Sequence, residues 1–540
     1  MTKRPCRISR KDRIASYLVT AEEMQRVEGR IFEAGMPVAA LMEKVAARLT
    51  AWFCKCFFEW LDQHSADAYT IGVLAGPGHN GGDALVIARE LHHLGFTVLV
   101  YQPFARCKPL TKNHADYARH LGIAFVETVQ ALEDGDAIID GLFGFGLTRP
   151  ITGELAKAVE VINRQTAPVF SIDLPSGIHT DSGQVMGVAI AATRTACLGL
   201  WKRSFMQESA LAYFGECELI DFDIPLADVE AVLSKSPAVQ RIVEAEMLAA
   251  LPLDRAATAH KYRAGHLLLI AGSRQYAGAA MLAGLGAIAS GVGMLTLAVP
   301  ESIRLALLPQ LPSALLVGCP ETEEGAISGL PDALSADLAG GKYDAIALGP
   351  GLTATVPTLL TKVFNADCPL LLDADGLNLL AQTNKVIQLL QKRSTPTILT
   401  PHLGEFKRLF PDIHDRQSEQ TLPGELAANA SKASQSIVLL KGPRSAISDG
   451  QTLWFNPEST PALARGGSGD VLTGLMGGLV AAAARADNQD LLSAVLSAVW
   501  WHSQAAIYAC NERTLLGVDP LHLAHSLNPA LPKIQHAQQS

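Results

Sequence analysis

Ala464-Arg-Gly-Gly-Ser-Gly-Asp470, running on into Val-Leu-Thr-Gly-Leu-Met476, joins a glycine-rich turn to the start of an apolar helix. The glycines leave backbone N–H groups uncovered. The helix adds its unpaired donors and the positive end of its dipole. A terminus of this kind binds phosphate groups. A carboxylate beside a bound phosphate is repelled by it. The purpose that suits Asp470 is to accept a proton from a hydroxyl reacting at phosphorus. An Asp N-cap on a glycine-rich turn is the plainer alternative.

Upstream of that run the chain alternates short apolar segments with helical patterns. His266 to Ala271, Met294 to Val299, Ala345 to Leu348, Leu370 to Asp373, Thr397 to Thr400 and Ile437 to Lys441 read as strands. Continuous apolar runs of this length suit strands buried on both faces of a parallel sheet. Ser445 to Trp454 reads as a hairpin around Asp449-Gly450. A second block, nearer the N-terminus, has the same rhythm, with Tyr69 to Leu74, Val98 to Tyr101, Ala137 to Asp140 and Val169 to Asp173 as strands and Ala84 to Leu94 as a helix. The fold class is therefore α/β, with two domains joined by a short linker near residues 224 to 245, which contains Ser234-Lys-Ser-Pro237.

A chain of 540 residues needs more than one core. Apolar residues make up 49% and charged residues 18%, as expected of compact α/β domains. A net charge of −9 argues against a nucleic-acid surface. The nine cysteines match no zinc spacing and read as thiols of a reducing compartment. Lys3, Arg4, Arg7, Arg10, Lys11 and Arg13 precede no apolar signal core and read as a solvated tail. The longest apolar stretch, Val471 to Ala484, is too short to span a bilayer. A cytoplasmic protein with no membrane or nucleic-acid partner is expected.

Other residues of the second block join the phosphate-cradle candidate. The glycines of Leu348-Gly-Pro-Gly351 let backbone approach a ligand after a strand, or form an ordinary strand-end turn. Asp373 and Asp375 either hold magnesium through water or cap the next helix. His402 follows a proline at a strand end, where its side chain faces a cleft or serves structure. Lys441 ends an apolar run and Gly442 follows. In the first block, Gly76-Pro-Gly-His-Asn-Gly-Gly-Asp83 lies between a strand and a helix, a pyrophosphate-friendly arrangement whose spacing differs from the usual dinucleotide fingerprint. Asp140-Gly-Leu-Phe-Gly-Phe-Gly146 and Ser171-Ile-Asp-Leu-Pro-Ser-Gly177 end strands at the same sheet edge. Oxygens of Asn80, Asp140 and Ser176 suit a weakly held cation, and Asp173 suits a proton carrier. Taken singly, each is equally a turn or a cap.

The ordered set in the second block resembles the ADP- or ATP-dependent NAD(P)H-hydrate dehydratases, a branch of the ribokinase-like superfamily. It comprises Lys261 to Ser273, Tyr276-Ala-Gly-Ala-Ala280, Leu348 to Gly351, Asp373-Ala-Asp-Gly-Leu-Asn378, Thr400-Pro-His-Leu-Gly-Glu405, Lys441-Gly442 and Gly466 to Asp470. The match covers about residues 240 to 525. The resemblance implies that Ala279, Gly351, His402 and Asp470 contact a hydrated nicotinamide. It places Lys441, Gly442, Pro443, Arg444, Ser445 and Gly469 on the nucleotide, with magnesium accompanying ADP or ATP. Asp470 would be the catalytic base that helps the hydrate's hydroxyl attack the terminal phosphoryl group. Elimination of the resulting phosphate ester would restore NADH or NADPH.

Residues 15 to 225, including Thr20-Ala-Glu-Glu-Met24 and Leu41-Met-Glu43, resemble the NAD(P)H-hydrate epimerases, which interconvert R and S hydrates. That resemblance implies a Rossmann-like αβα domain with Asp173 as its catalytic residue. The hydrate would lie on His79, Asn80, Gly81, Gly82 and Asp83, on Gly144, Phe145, Gly146, Leu147, Thr148, Arg149 and Pro150, and on Asp173. Potassium would lie on Asn80, Asp140 and Ser176. His79, Ala84, Lys44-Val45, Thr193 and Arg203-Ser204 depart from the family pattern, while Lys202 is kept. Residues 1–228 are thus expected to form the epimerase-like domain and 238–535 the ribokinase-like dehydratase domain. Together they form a bifunctional repair enzyme, assembled as a tetramer or larger. Two other readings remain at this level, a vitamin or sugar kinase and a dehydratase whose first half is a worn binding or assembly module. A vitamin kinase has no reason to carry the first half.

Overall fold

The computed structural model describes residues 9–61, 69–234, 238–253, 260–353, 357–416, 422–486 and 490–537. Two compact units divide the chain, one ending at Val239 and the other beginning at Gln240. Each is an α/β sandwich built on its own sheet.

In the first unit a seven-stranded sheet runs in the spatial order Ala124–Val126, Thr97–Tyr101, Thr70–Ala75, Ala137–Gly141, Val169–Ile172, Arg194–Leu198, Glu216–Ile220. All neighbours are parallel. The order reverses between Thr70–Ala75 and Ala137–Gly141. Such a switch point opens a crevice at the carboxyl ends of the two strands, where doubly wound sheets bind ligands. Helix Ala21–Glu33 starts at a capping box, in which Thr20 Oγ1 accepts from the Glu23 N–H at 3.1 Å and Glu23 accepts from the Thr20 N–H at 2.9 Å.

The second unit carries a ten-stranded sheet in the order Ala238–Arg241, Thr452–Phe455, Ala446–Ser448, Ile437–Leu440, Thr397–Leu399, Leu370–Leu372, Ala345–Leu348, His266–Ile270, Met294–Pro300, Leu315–Cys319. The strands from Ile437–Leu440 to Leu315–Cys319 are parallel. The expected hairpin closes antiparallel, with Asp449 Oδ1 accepting from the Gln451 and Thr452 N–H groups at 2.8 Å and Gly450 in the left-handed region. Here the switch point lies between His266–Ile270 and Ala345–Leu348.

The structure corrects three expectations. Residues 10–16 are not a solvated tail but a helix capped by Ser9, with Arg10 paired to Asp221 and Arg13 to Glu230; Lys3, Arg4 and Arg7 lie outside the described residues. The segment 224–245 is mostly regular, with helix Leu226–Leu233, the edge strand Ala238–Arg241 and the start of helix Glu244–Ala250; residues 235–237 lie outside the described residues. The helix expected from Ala84 begins at His79, inside the glycine run. Strands Arg194–Leu198, Glu216–Ile220 and Leu315–Cys319 were not among the apolar runs. The last two are outer strands with exposed residues, so charge or half-burial breaks the apolar pattern.

Helix Ser468–Arg485 is pressed onto helix Ala277–Ala289 at two glycines. A Cβ on Gly474 would run into the Ala283 carbonyl, and one on Gly286 into the Val471 carbonyl. This approach sets the position of the helix whose N-terminus carries Asp470. Overpacking such a contact costs about 1–3 kcal/mol. Gly474→Ala should therefore lower the thermal midpoint of the second unit's unfolding while the first unit's transition stays in place. An unchanged second transition in calorimetry would contradict the close approach.

Candidate active sites

In the second unit Asp373, His402 and Lys441 follow three adjacent parallel strands at their carboxyl ends, and helix Ser468–Arg485 brings Asp470 to them. Lys441 donates to Asp373 Oδ1 at 2.7 Å, and Thr473 Oγ1 donates to Asp373 Oδ2 at 2.6 Å. Burial alone would raise the Asp373 carboxyl. The Lys441 charge, with hydrogen bonds from Lys441, Thr473 and Thr400, outweighs burial and holds it below the usual carboxylate range. Among the described residues no side chain hydrogen-bonds the Asp470 carboxyl. Its own burial and the negative charge of Asp373 push it up to about 7, against the pull of Lys441. An acid–base group poised near neutrality is the result.

The backbone around Asp470 is open to an anion. Neither the Gly469 nor the Asp470 N–H finds an acceptor among the described residues. Gly467 opens the helix with φ +102°, a conformation that favours glycine. A Cβ on Gly469 would sit 3.7 Å from Lys441 Nζ, so the lysine lies beside the N-terminal donors. Lys441 itself is bridged to His402 in parallel register. The turn Gly442-Pro-Arg-Ser445 follows, exposed at Gly442 and Pro443 and half-buried at Arg444 and Ser445, with Ser445 Oγ donating to the Gly442 carbonyl at 3.1 Å.

His402 both faces solvent and serves structure. It caps helix Leu403–Leu409, with Nδ1 accepting from the Gly404 N–H at 3.0 Å, and its side chain remains exposed. Asp375 does not cap the next helix, whose N-cap is Ala374; it ties the Thr353 loop to the helix start, accepting from the Thr353 N–H at 2.9 Å and from the Asn378 side-chain amide at 3.2 Å. Asp373 spends its oxygens on Lys441 and Thr473. Ala279 and Gly351 meet at the switch point, where a Cβ on Gly351 would lie 2.8 Å from that of Ala279. Sequence reading missed His502 and Thr473. His502 is distant in sequence, and Thr473 looks like any helix residue.

In the first unit Asp140 and Asp173 sit at the ends of adjacent strands. Asp173 lies in the left-handed region at φ +68°, a strained setting for a non-glycine. Its Oδ2 accepts from the Phe145 N–H at 2.8 Å, and its Oδ1 pairs with the fully buried Lys202. Lys202 also donates to the Leu198 carbonyl at 2.6 Å. Burial would lower Lys202, but Asp173 prevails and keeps it charged. Two further carboxyls share this surrounding. Burial and the neighbouring acids Glu28 and Asp173 hold Asp83 well above its ordinary range. Glu28, also raised by burial, reaches about 7. Sequence reading missed Glu28, whose helix shows only an amphipathic pattern.

Asp140 is fully buried and has no cationic partner among the described residues. Ser171 and Ser176 hydroxyls donate to it at 2.8 and 2.6 Å, and the Ser176 N–H at 2.8 Å. Asn80 lies close by, its Oδ1 3.1 Å from the position of a Cβ on Gly144, and its buried Nδ2 has no partner among the described residues. The oxygens of Asp140, Ser176 and Asn80 are of the kind that suits a hard, weakly held cation, whereas the unsatisfied Asn80 amide N–H calls for an acceptor. Gly81 and Gly82 point into protein, where a Cβ would meet the Gly76 backbone and the Met42 side chain, so their lack of side chains serves packing. Gly144, Phe145 and Leu147 are partly exposed, and Gly146, Thr148, Arg149 and Pro150 exposed, in the loop above Asp173. His79 is exposed at the first turn of its helix; burial and Lys108 lower its pKa.

Among the described residues no helix is long and apolar enough to cross a membrane. A family model described as NAD(P)H-hydrate dehydratase matches residues 267–529, and one described as YjeF-related protein N-terminus matches residues 38–204. A bifunctional NAD(P)H-hydrate repair enzyme of Thermosynechococcus vestitus is 49% identical over 95% of this chain and 97% of its own. One of Synechocystis is 51% identical over 95% of this chain and 94% of its own. An ADP/ATP-dependent NAD(P)H-hydrate dehydratase from Bacillus subtilis, co-crystallised with ATP and Mg2+, is 31% identical, covering 53% of this chain and 96% of that one at a TM-score of 0.42. The chain belongs to the family of bifunctional NAD(P)H-hydrate repair enzymes.

Proposed function

We propose that this chain repairs hydrated nicotinamide cofactors, epimerising R and S hydrates of NADH and NADPH in its first part and dehydrating the S hydrate in its second. The epimerase is assigned to residues 1–228 and the dehydratase to residues 238–535. The observation that carries the second activity is Asp470, poised near neutrality beside the unpaired N–H groups of Gly469 and Asp470. The terminal phosphoryl group of ADP or ATP lies against those donors and Lys441. Gly442, Pro443, Arg444 and Ser445 line the rest of the nucleotide. Ala279, Gly351 and His402 hold the hydrate. Asp470 takes the proton of the hydrate's hydroxyl as its oxygen bonds to phosphorus, and AMP or ADP departs. The ester then leaves as phosphate while the adjacent ring carbon gives up a proton to solvent, restoring the ring double bond. Magnesium travels with the nucleotide phosphates and offsets their charge.

In the first part Asp173 carries the proton, held in place by Lys202 and the Phe145 N–H. The substrate lies against His79, Asn80, Gly81, Gly82 and Asp83 and under the Gly144–Pro150 loop. Asn80, Asp140 and Ser176 hold potassium, which supplies a fixed positive charge. The assembly is a homo-oligomer, a tetramer or larger, and works in the cytoplasm.

Four outcomes test this reading. Purified chain given mixed hydrates with ADP or ATP should restore dihydronicotinamide absorbance, and no recovery with either nucleotide refutes it. Asp470→Asn should lower dehydration about 10²–10⁴-fold with nucleotide affinity retained, the range for losing a general base. Because Asp470 must be ionised to accept a proton and titrates at about 7, wild-type dehydration should fall about tenfold per unit as pH drops below that value. A rate flat down to pH 5 is the opposing result. Asp173→Asn should leave consumption of S hydrate at the wild-type rate and slow R hydrate to its uncatalysed conversion. Unimpaired R consumption removes Asp173 from the reaction.

A further inference from the structure

Helix Leu491–Arg513 passes behind the glycine-rich turn and buries His502 to 6% exposure. Its Nε2 lies 2.9 Å from the Ser468 carbonyl oxygen. A carbonyl only accepts, so Nε2 carries the proton. Burial, aided by the charge of Lys441, pulls the ring's pKa down to about 4, and the imidazole is neutral where the enzyme works.

Ser468 is the first residue of helix Ser468–Arg485. Its carbonyl and the Gly469 N–H belong to one peptide group. That group is planar and trans, so its C=O and N–H point in opposite directions and turn together. A donor fixed on the carbonyl from behind therefore aims the N–H in front. It also polarises the peptide, and chained hydrogen bonds strengthen one another by roughly 10–30%. The Ser468 hydroxyl adds a second tether from the same residue, reaching the Leu463 carbonyl at 2.7 Å and the Arg465 carbonyl at 3.0 Å.

We propose that His502 is a positioning residue of the phosphoryl-transfer site, holding the Ser468–Gly469 peptide from behind so that the Gly469 N–H faces the phosphate group of the nucleotide. The assignment rests on the nucleotide-dependent dehydratase reading. His502 touches neither nucleotide nor hydrate. Its effect is on where one backbone donor points, and a misdirected donor weakens the charged transition state more than the resting complex.

The test uses the full chain with His502→Phe, which fills the space without a donor, and His502→Gln, whose amide nitrogen occupies the place of Nε2. Phe should lower kcat/KM for ADP or ATP about ten- to a hundredfold, below the loss seen when a direct oxyanion donor is removed. The KM for hydrate and the epimerase rate of the same molecules should stay at wild-type values. Gln should restore kcat/KM to within about threefold, in line with a bond whose donor is kept. Calorimetric binding of ADP alone, which needs no dehydration, should weaken in Phe and recover in Gln. Wild-type nucleotide parameters in the Phe variant overturn the proposal, as does equal damage to nucleotide and hydrate parameters in both variants. If Phe does not fold, His502→Asn, whose amide is too short to reach Ser468, replaces it against Gln with the same expectations. A wild-type chain that binds ADP but dehydrates nothing defeats the dehydratase reading instead, and the binding comparison still decides the role of His502.

Discussion

One lysine committed to one aspartate governs the electrostatics of each half. In the second unit Lys441 neutralises Asp373, and in the first Lys202 neutralises Asp173. Each pair is largely desolvated, so the charges depend on each other. Removing one partner would strand the other at a cost of about 3–5 kcal/mol. Burial raises the carboxyls nearby, and the pull of the lysine, shared with its aspartate, only partly offsets it. Asp470 rises to about 7 beside Asp373, and Glu28 rises to about 7 with Asp173 and Lys202 in its field. The pair thus does more than stabilise. It separates an ionised carboxylate from a neighbour able to hold or yield a proton near neutral pH, the arrangement that acid–base chemistry requires.

Topology brings those groups together. Both sheets reverse their order after the first parallel strand, and both place chemistry-bearing residues on the loops beyond the carboxyl ends. The glycines then set distances. Gly286 and Gly474 let helix Ser468–Arg485 descend onto its neighbour, and Gly76, Gly81 and Gly141 do the same for helix His79–His93 against its strand loops. Larger residues would lift each helix, and its N-terminal donors with it, away from the sheet edge.

These features differ in how far they are legible from sequence. The turn Gly466–Asp470 is local, so its glycines and the apolar helix behind it announce a helix N-terminus at once. The central strands are legible because burial on both faces makes them continuously apolar. What sequence hides is partnership at a distance. Arg10 and Arg13 look like a solvated tail, yet their acidic partners lie 211 and 217 residues away. His502 stands 34 residues beyond the carbonyl it holds, inside a helix that is apolar on most sides. Glycine-rich runs are ambiguous for a related reason. In Gly76–Asp83 the same residue type that exposes backbone to a ligand also lets two pieces of protein touch, and the structure assigns Gly81 and Gly82 to the second use.

The departures of the first half from its family's pattern can be weighed by where they fall. Thr193 precedes strand Arg194–Leu198, at the end opposite the site, and its hydroxyl accepts from the Val169 N–H at 3.0 Å. Lys44 pairs with Asp223 at 2.6 Å, and Arg203 with Glu23 at 3.4 Å. Ala84 is buried, where its methyl fills the space that Gly141 leaves. These substitutions are absorbed by structure. The groups that would do the chemistry, Asp83, Asp140, Asp173 and Lys202, keep a complete set of buried contacts or a shared electrostatic environment. His79 stands exposed at the helix N-terminus, within the field of Lys108. Most of the departures therefore fall on contacts within the fold, and the Asp173–Lys202 pair is kept.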